Sequence, residues 1–258
     1  SYGMVLVCGP TGSGKTSTLY AIMGILNQPG VNIVTIEDPI EYDIKYVNQI
    51  QVNPQASLTF ASGLRSILRQ DPNIVMVGEI RDEETADISV NAALTGHLLL
   101  SSLHTNDAPT AVPRLLDMNI PSFLVGAVLN VVVAQRLVRK ICPHCMTAYQ
   151  PDPDQRTAME RQIKDLGVGE RVAVPKTLYR GAGCSACGDA GYRGRTGIFE
   201  VMDIDEKLRS FIAREGFSLE VFRDLARDGG FTTMFEDGMR KIEHGITTIE
   251  EVLRVIRE

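Results

Sequence analysis

Apolar residues follow two rhythms along this chain. Within residues 1–138, short unbroken apolar runs at Met4–Val7, Asn32–Ile36, Ile74–Val77 and His97–Leu103 alternate with longer stretches in which apolar residues return every three or four positions. Runs this short and this rich in Val, Ile and Leu predict strands buried on both faces. The three-to-four spacing predicts helices over Lys15–Leu26, Leu58–Arg69, Glu83–Leu94 and Pro121–Val138. Thr59 stands where a helix cap belongs, and Asp71-Pro72 stops that segment before the next strand. Strand and helix in alternation give an α/β class with a parallel sheet covered by helices.

The rhythm breaks at Ile141. A polar, proline-punctuated stretch carrying two Cys-x-x-Cys pairs fills 142–187, and Gly191–Glu200 reads as a turn leading into a strand. From about Asp203 the pattern is helical again, ending in an amphipathic helix marked by Ile249, Val252, Leu253 and Ile256. The expected organisation is therefore a core at 1–138, a tetracysteine metal-binding subdomain at 139–200 and a helical subdomain at 201–258.

Composition narrows the function. The 258 residues are 44% hydrophobic and 22% charged, with a net charge of −6. That balance does not suit neutralising a phosphate backbone, so no nucleic-acid partner is expected. The longest apolar stretch, Phe123–Ala134, is too short for a membrane span and holds Gly126 and Asn130, so no direct membrane insertion is expected. Residues 1–8 read as a strand rather than a signal peptide. Five cysteines beside a cytosolic type of cofactor site point to free thiols and a cytoplasmic location.

Gly9-Pro10-Thr11-Gly12-Ser13-Gly14-Lys15-Thr16, followed by Ser17, meets every fixed position of G-x-x-x-x-G-K-[ST], between a predicted strand and a predicted helix. In that setting backbone N–H groups surround a polyphosphate at a helix N-terminus. Gly12 and Gly14 let the main chain come close, Lys15 reaches the β- and γ-phosphates, and the Thr16 hydroxyl suits Mg²⁺. The expected ligand is a nucleoside triphosphate. Hydrolysis needs further groups, and two acidic sites follow predicted strands: Glu37-Asp38-Pro39-Ile40-Glu41 after Ile36, and Glu79 after Gly78. His97 and His104 bracket the fourth apolar run, so that at least one could approach the γ-phosphate.

Cys142-Pro-His-Cys145 and Cys184-Ser-Ala-Cys187 supply four thiolates in two knuckles. Four sulfurs suit a closed, structural Zn²⁺ site, with His144 unnecessary as a ligand. Cys8 reads as a small core residue.

Together these residues resemble the ATPases of type II secretion and type IV pilus assembly, of RecA-like P-loop fold. The resemblance runs through the Walker A motif at Gly9–Thr16, the aspartate box from Thr35 to Tyr42, the Gly63–Pro72 segment, the Walker B run from Val75 to Asp82, the histidine box from Thr95 to Asn106, the four cysteines and the Gly191–Phe199 run. It implies ATP hydrolysis with Glu41 activating the attacking water, Glu37 and Asp38 supporting the metal shell, and Glu79 holding Mg²⁺ through water. It implies His104 at the γ-phosphate with His97 in support, and Arg81, Arg65 and Arg69 as candidates for closing the site, with subunit contacts the alternative for Arg65 and Arg69. It further implies a homohexameric ring working on an inner-membrane platform protein, with the chain cytoplasmic and peripheral to that membrane. The family normally carries N-terminal domains before the first strand of this core, so slow turnover is expected of the core alone. A retraction-type pilus ATPase and a nucleotide-gated scaffold are the competing readings; the four cysteines argue against the first, Glu41 and Glu79 against the second.

Overall fold

The expected apolar runs form the middle of one sheet in a computed structural model that describes residues 2–169 and 171–257. They are β1 (Gly3–Cys8), β2 (Ile33–Glu37), β4 (Ile74–Val77) and β5 (Leu98–Leu103), joined by β3 (Asn48–Gln51), β6 (Leu129–Ile141) and β9 (Tyr192–Asp203) in the order β3-β2-β4-β5-β1-β6-β9. The first six of these pair in parallel wherever they adjoin. Met4, Leu6, Val7, Val34, Ile36, Val75 and Val77 are completely buried. Each contributes about 1.5–3 kcal/mol by leaving water, which is why these strands lie centrally.

The helices on the sheet include α1 (Lys15–Leu26), α2 (Phe60–Ile67), α3 (Glu83–Leu94) and α4 (Ala111–Asp117). Thr59 caps α2 in a reciprocal capping box with Ser62, and Asp71, at φ 52°, ends the 3₁₀ turn that follows. Among the described residues no helix is long and apolar enough to cross a membrane.

One expected element is corrected. The helix predicted over Pro121–Val138 stops early as α5 (Ser122–Val128), and the chain continues as the long strand β6. Val131, Val132 and Val133 are the reason: β-branched side chains lose rotamer freedom in a helix and fit a pleated surface beside β1, where Val5 faces Val131 and Val7 faces Val133.

Contacts divide the chain into two compact units rather than three consecutive stretches: Ser1–Ala134 with Val201–Phe231, and Gln135–Glu200 with Thr232–Glu258. The first unit adds α7 (Glu206–Ile212) and α8 (Leu219–Asp228) to the sheet and helices above. Arg209 of α7 donates to the carbonyls of Gly126 and Ala127 and to Asn130 Oδ1, fastening α7 where α5 gives way to β6.

The second unit holds the remainder of β6 and β9, the antiparallel pair β7 (Met146–Tyr149) and β8 (Leu178–Gly181), and the helices α6 (Pro153–Asp165), α9 (Met234–Glu243) and α10 (Ile249–Arg257). Buried Glu251 of α10 accepts from the N–H and guanidinium of Arg139 and from the guanidinium of Arg254. Burial alone would raise the Glu251 carboxyl, but these donors outweigh it and hold it at about 2.

Candidate functional site

Parallel strands in register bring their C-terminal ends to one edge of the sheet. Val7 pairs with Ser102, and Ile36 pairs with Val77, which in turn pairs with Ser101. The residues just beyond, at 9–16, 37–41, 78–81 and 104, therefore gather at that edge although they are far apart in sequence. A cleft opens there, lined by Thr11, Lys15, Thr16, Glu37, Asp38, Glu41, Glu79, Arg81 and His104 among others.

After β1 the chain turns through a glycine loop. Gly12 and Gly14 sit at φ 78° and 92°, in the left-handed region that favours glycine. A side chain at Gly12 would meet nothing within 4 Å, so the space over the loop is open. Gly14 caps α1 without any side-chain bond, and the first turn of this 12-residue helix carries no acidic residue. The helix thus turns the positive end of its dipole to the cleft. Lys15 Nζ donates to the carbonyls of Gly9 (2.8 Å) and Pro10 (3.1 Å), which holds the ammonium over the same loop. Ser13 is buried, Thr16 is half-buried, and Ser17 is exposed beside them. This cradle has the charge and the open space that a polyphosphate needs.

The acidic groups divide by environment. Glu37, at the end of β2, is buried and committed: Oε2 accepts from the Tyr20 hydroxyl, and Oε1 from Thr35 Oγ1 (2.5 Å) and Gln49 Nε2 (3.1 Å). Asp38 and Glu41 are exposed on the loop that follows. Glu79 is almost buried and shared, with one oxygen on the Arg81 guanidinium and the other 3.1 Å from His104 Nε2. The bond to Glu79 raises the Arg81 pKa above its ordinary value. The direction of the chain at Glu79 is set by β5: Ser101 Oγ donates to the Val77 carbonyl, Ser102 Oγ donates to the Gly78 carbonyl, and the Ile80 N–H donates to the Ser102 carbonyl.

His97 is a correction. It precedes β5, whereas His104 follows it, so the two histidines lie at opposite edges of the sheet. At about 3.3 Å per strand residue they are about 23 Å apart along the backbone. The His97 ring bonds the Ala92 carbonyl at the end of α3 and does not line the cleft. Arg65 lies outside the cleft as well, in an exposed pair with Glu84; Arg69 is likewise exposed in the turn after α2 and absent from the lining.

Tyr20 and Gln49, which bond the Glu37 carboxylate of the cleft lining, are among the residues that sequence reasoning missed. Tyr20 sits on the buried side of α1, where its ring looks like core. The available signal was chemical: a phenol on an apolar face needs a partner for its hydroxyl.

In the second unit the four cysteines come together. Their sulfurs all lie within 4.8 Å of one another, with 3.9 Å between Cys142 and Cys184, 3.9 Å between Cys145 and Cys187, and 3.7 Å between Cys184 and Cys187. No disulfide joins them. Four sulfurs about 2.3 Å from a tetrahedral ion would be about 3.8 Å apart, so the donor set fits such an ion. Tight turns shape both knuckles: the Cys145 N–H donates to the Cys142 carbonyl, the Cys187 N–H to the Cys184 carbonyl, and Gly183 and Gly188 take positive φ. His144 is exposed and outside the cluster.

Residues 1–254 match the family model described as type II/IV secretion system protein. The chain is 52% identical to type II secretion system protein E of Pseudomonas aeruginosa, over 100% of this chain and 49% of that protein. It is 48% identical to the type IV pilus assembly ATPase PilB of Thermus thermophilus, over 98% of this chain and 27% of that protein. The chain thus spans half or less of the length of these relatives. Among solved structures, the pilus retraction motor PilT with bound ADP aligns with a TM-score of 0.70 at 27% identity, over 98% of this chain and 61% of that one.

Proposed function

This chain belongs to the type II/IV secretion system proteins, and from that premise we propose that it is the RecA-like, ATP-hydrolysing core of a motor for type II secretion or type IV pilus assembly. The observation that carries the reading is the gathering of the glycine loop, Lys15, Thr16, Glu41, Glu79 and His104 in one cleft at one sheet edge. That set supplies what phosphoryl transfer to water requires: a cradle for the phosphates, a base, and charges near the transferred group.

In this reading the glycine-loop N–H groups and Lys15 hold the polyphosphate of ATP. Exposed Glu41 orients the attacking water and takes its proton. His104, anchored on Glu79, lines the cleft beside the terminal phosphate, and Arg81 balances the charge on Glu79. Thr16 and Glu79 are the residues that would hold Mg²⁺, which when bound neutralises phosphate charge. Glu37, with Asp38 beside it, shapes the floor of the cleft. Cys142, Cys145, Cys184 and Cys187 hold a structural Zn²⁺ that orders the second unit.

Assembly or secretion is favoured over retraction. The relatives at about half identity are a secretion protein and an assembly ATPase, whereas the retraction motor is 27% identical. The complete protein would act as a homohexamer on an inner-membrane platform protein, from the cytoplasmic side.

The test is ATP turnover per chain against protein concentration, for the native chain, Lys15→Ala and Glu41→Gln. Turnover that rises with concentration and falls by roughly 10²–10³-fold in both variants is expected. Equal turnover in the native chain and Glu41→Gln would remove Glu41 from its role and, with it, this mechanism.

A further inference from the structure

We infer that Tyr20 is a positioning residue: its hydroxyl ties the acidic loop carrying Glu41 to the helix that springs from the glycine loop. The role assigned to Glu41 rests on the function proposed above, while the tie itself rests on geometry alone.

Tyr20 lies four residues after Thr16, one turn further along the same face of α1, and is only 3% exposed. Its hydroxyl uses its whole bonding capacity. The proton goes to Glu37 Oε2, and the lone pairs accept the Glu41 N–H at 3.3 Å and Gln49 Nε2 at 3.4 Å. Three pieces of chain thus meet at one oxygen: the end of β2, strand β3 and the loop after Pro39. Gln49 tightens the same knot: its two amide hydrogens are shared among the Tyr20 oxygen, Glu37 Oε1 (3.1 Å) and the Tyr42 carbonyl (3.3 Å), and its Oε1 accepts the Ile44 N–H (2.7 Å). The Tyr20 ring packs edge-on against Tyr42, with centroids 4.7 Å apart.

The loop has need of such a tie. Residues 38–47 contain neither helix nor strand, and Glu41 is exposed. A base working on a bound substrate has to be held within about 0.5 Å of its productive place. Backbone attachment at Glu41 itself, from a helix whose first turn forms the phosphate cradle, sets the carboxylate and the cradle in one frame. The phenol serves only while protonated, and burial followed by its bond to Glu37 raises its pKa well above the ordinary value.

Tyr20→Phe keeps the ring and its contact with Tyr42 and removes only the hydroxyl. Buried Glu37 also loses a donor, so global melting is not the readout. Hydrogen exchange of the full chain is expected to show segment 38–43 losing protection by about 5–10-fold, with residues 21–26 of α1 unchanged. ATP turnover is expected to fall by about 10–100-fold in kcat, with KM shifted less than about twofold. Adding Tyr20→Phe to Glu41→Gln is expected to cost nothing further, since both act through one group. Unchanged protection at 38–43 would overturn the inference, as would an unchanged kcat in a chain whose native form turns over. If the native chain shows no turnover, the functional reading fails, and exchange at 38–43 still decides the tie.

Discussion

The cleft and the cysteine cluster gather chemistry in opposite ways. The cleft collects residues from four distant stretches because parallel strands end at a common edge, and the sheet's apolar core holds those strand ends whether or not a ligand is present. The cluster uses two local knuckles, each closed by turn bonds within a few residues, and brings four sulfurs together. The lesson concerns where a mutation is felt. In the cleft the scaffold is independent of the reacting groups, so losing one costs activity. If the cysteines hold the metal proposed above, they are themselves part of the scaffold, and losing one would cost structure.

The largest expected effect comes from breaking the cluster. Cys142→Ser, or a strong chelator, is expected to drop zinc from one per chain and to destabilise the second unit by several kcal/mol, since structural zinc contributes about 10–16 kcal/mol in small zinc-dependent domains. Elemental analysis with a thermal melt checks this, and an unchanged melt after complete metal loss would make the cluster dispensable. Next comes the cleft itself. His104→Ala removes the partner of Glu79 in the cleft lining and is expected to lower kcat by roughly 10²-fold without moving the melting temperature. His97→Ala, at the other sheet edge, is expected to leave kcat within about twofold and to cost about 1 kcal/mol of stability through the lost bond to Ala92. Equal losses of kcat in the two variants would erase the distinction between the edges.

An effect of comparable size to that of His97→Ala is a pH dependence. Glu251 is held at about 2, below its unfolded value near 4.5. Its contribution is fully present above that unfolded value and is lost as pH falls from about 4.5 toward 2. With both arginine partners half exposed, the contribution is on the order of 1–2 kcal/mol. Glu251→Gln should flatten acid unfolding across that window, and an unaltered slope would show the pair to be incidental.

Much of this was legible in the chain, for physical reasons. The four strands that carry the cleft are buried on both faces, so their apolar runs announced them, and the glycine loop has a fixed spacing because a phosphate cradle leaves little freedom. What was not legible depends on partners. β6 read as a helix because Phe123, Ala127, Val131 and Ala134 come at helical spacing, and only the adjacent β1 decides in favour of a strand. α6 is polar nearly all round, with Met159 its one fully buried side chain, so no periodicity marked it. β3 is short and lies at the sheet edge with no buried residue. Tyr20 was hidden because its ring obeys the apolar pattern while its hydroxyl does the positioning. His97 misled because adjacency in sequence says nothing about which end of a strand faces a ligand.

Ser101 and Ser102 interrupt the apolar run of β5, and their hydroxyls grip the last carbonyls before Glu79. Mechanically, this makes Glu79 and His104 a single fixed wall of the cleft, because any displacement of β5 carries both together. Glu41, on the loop after β2, is held through Tyr20 from α1, so the two walls are set by different attachments to one sheet.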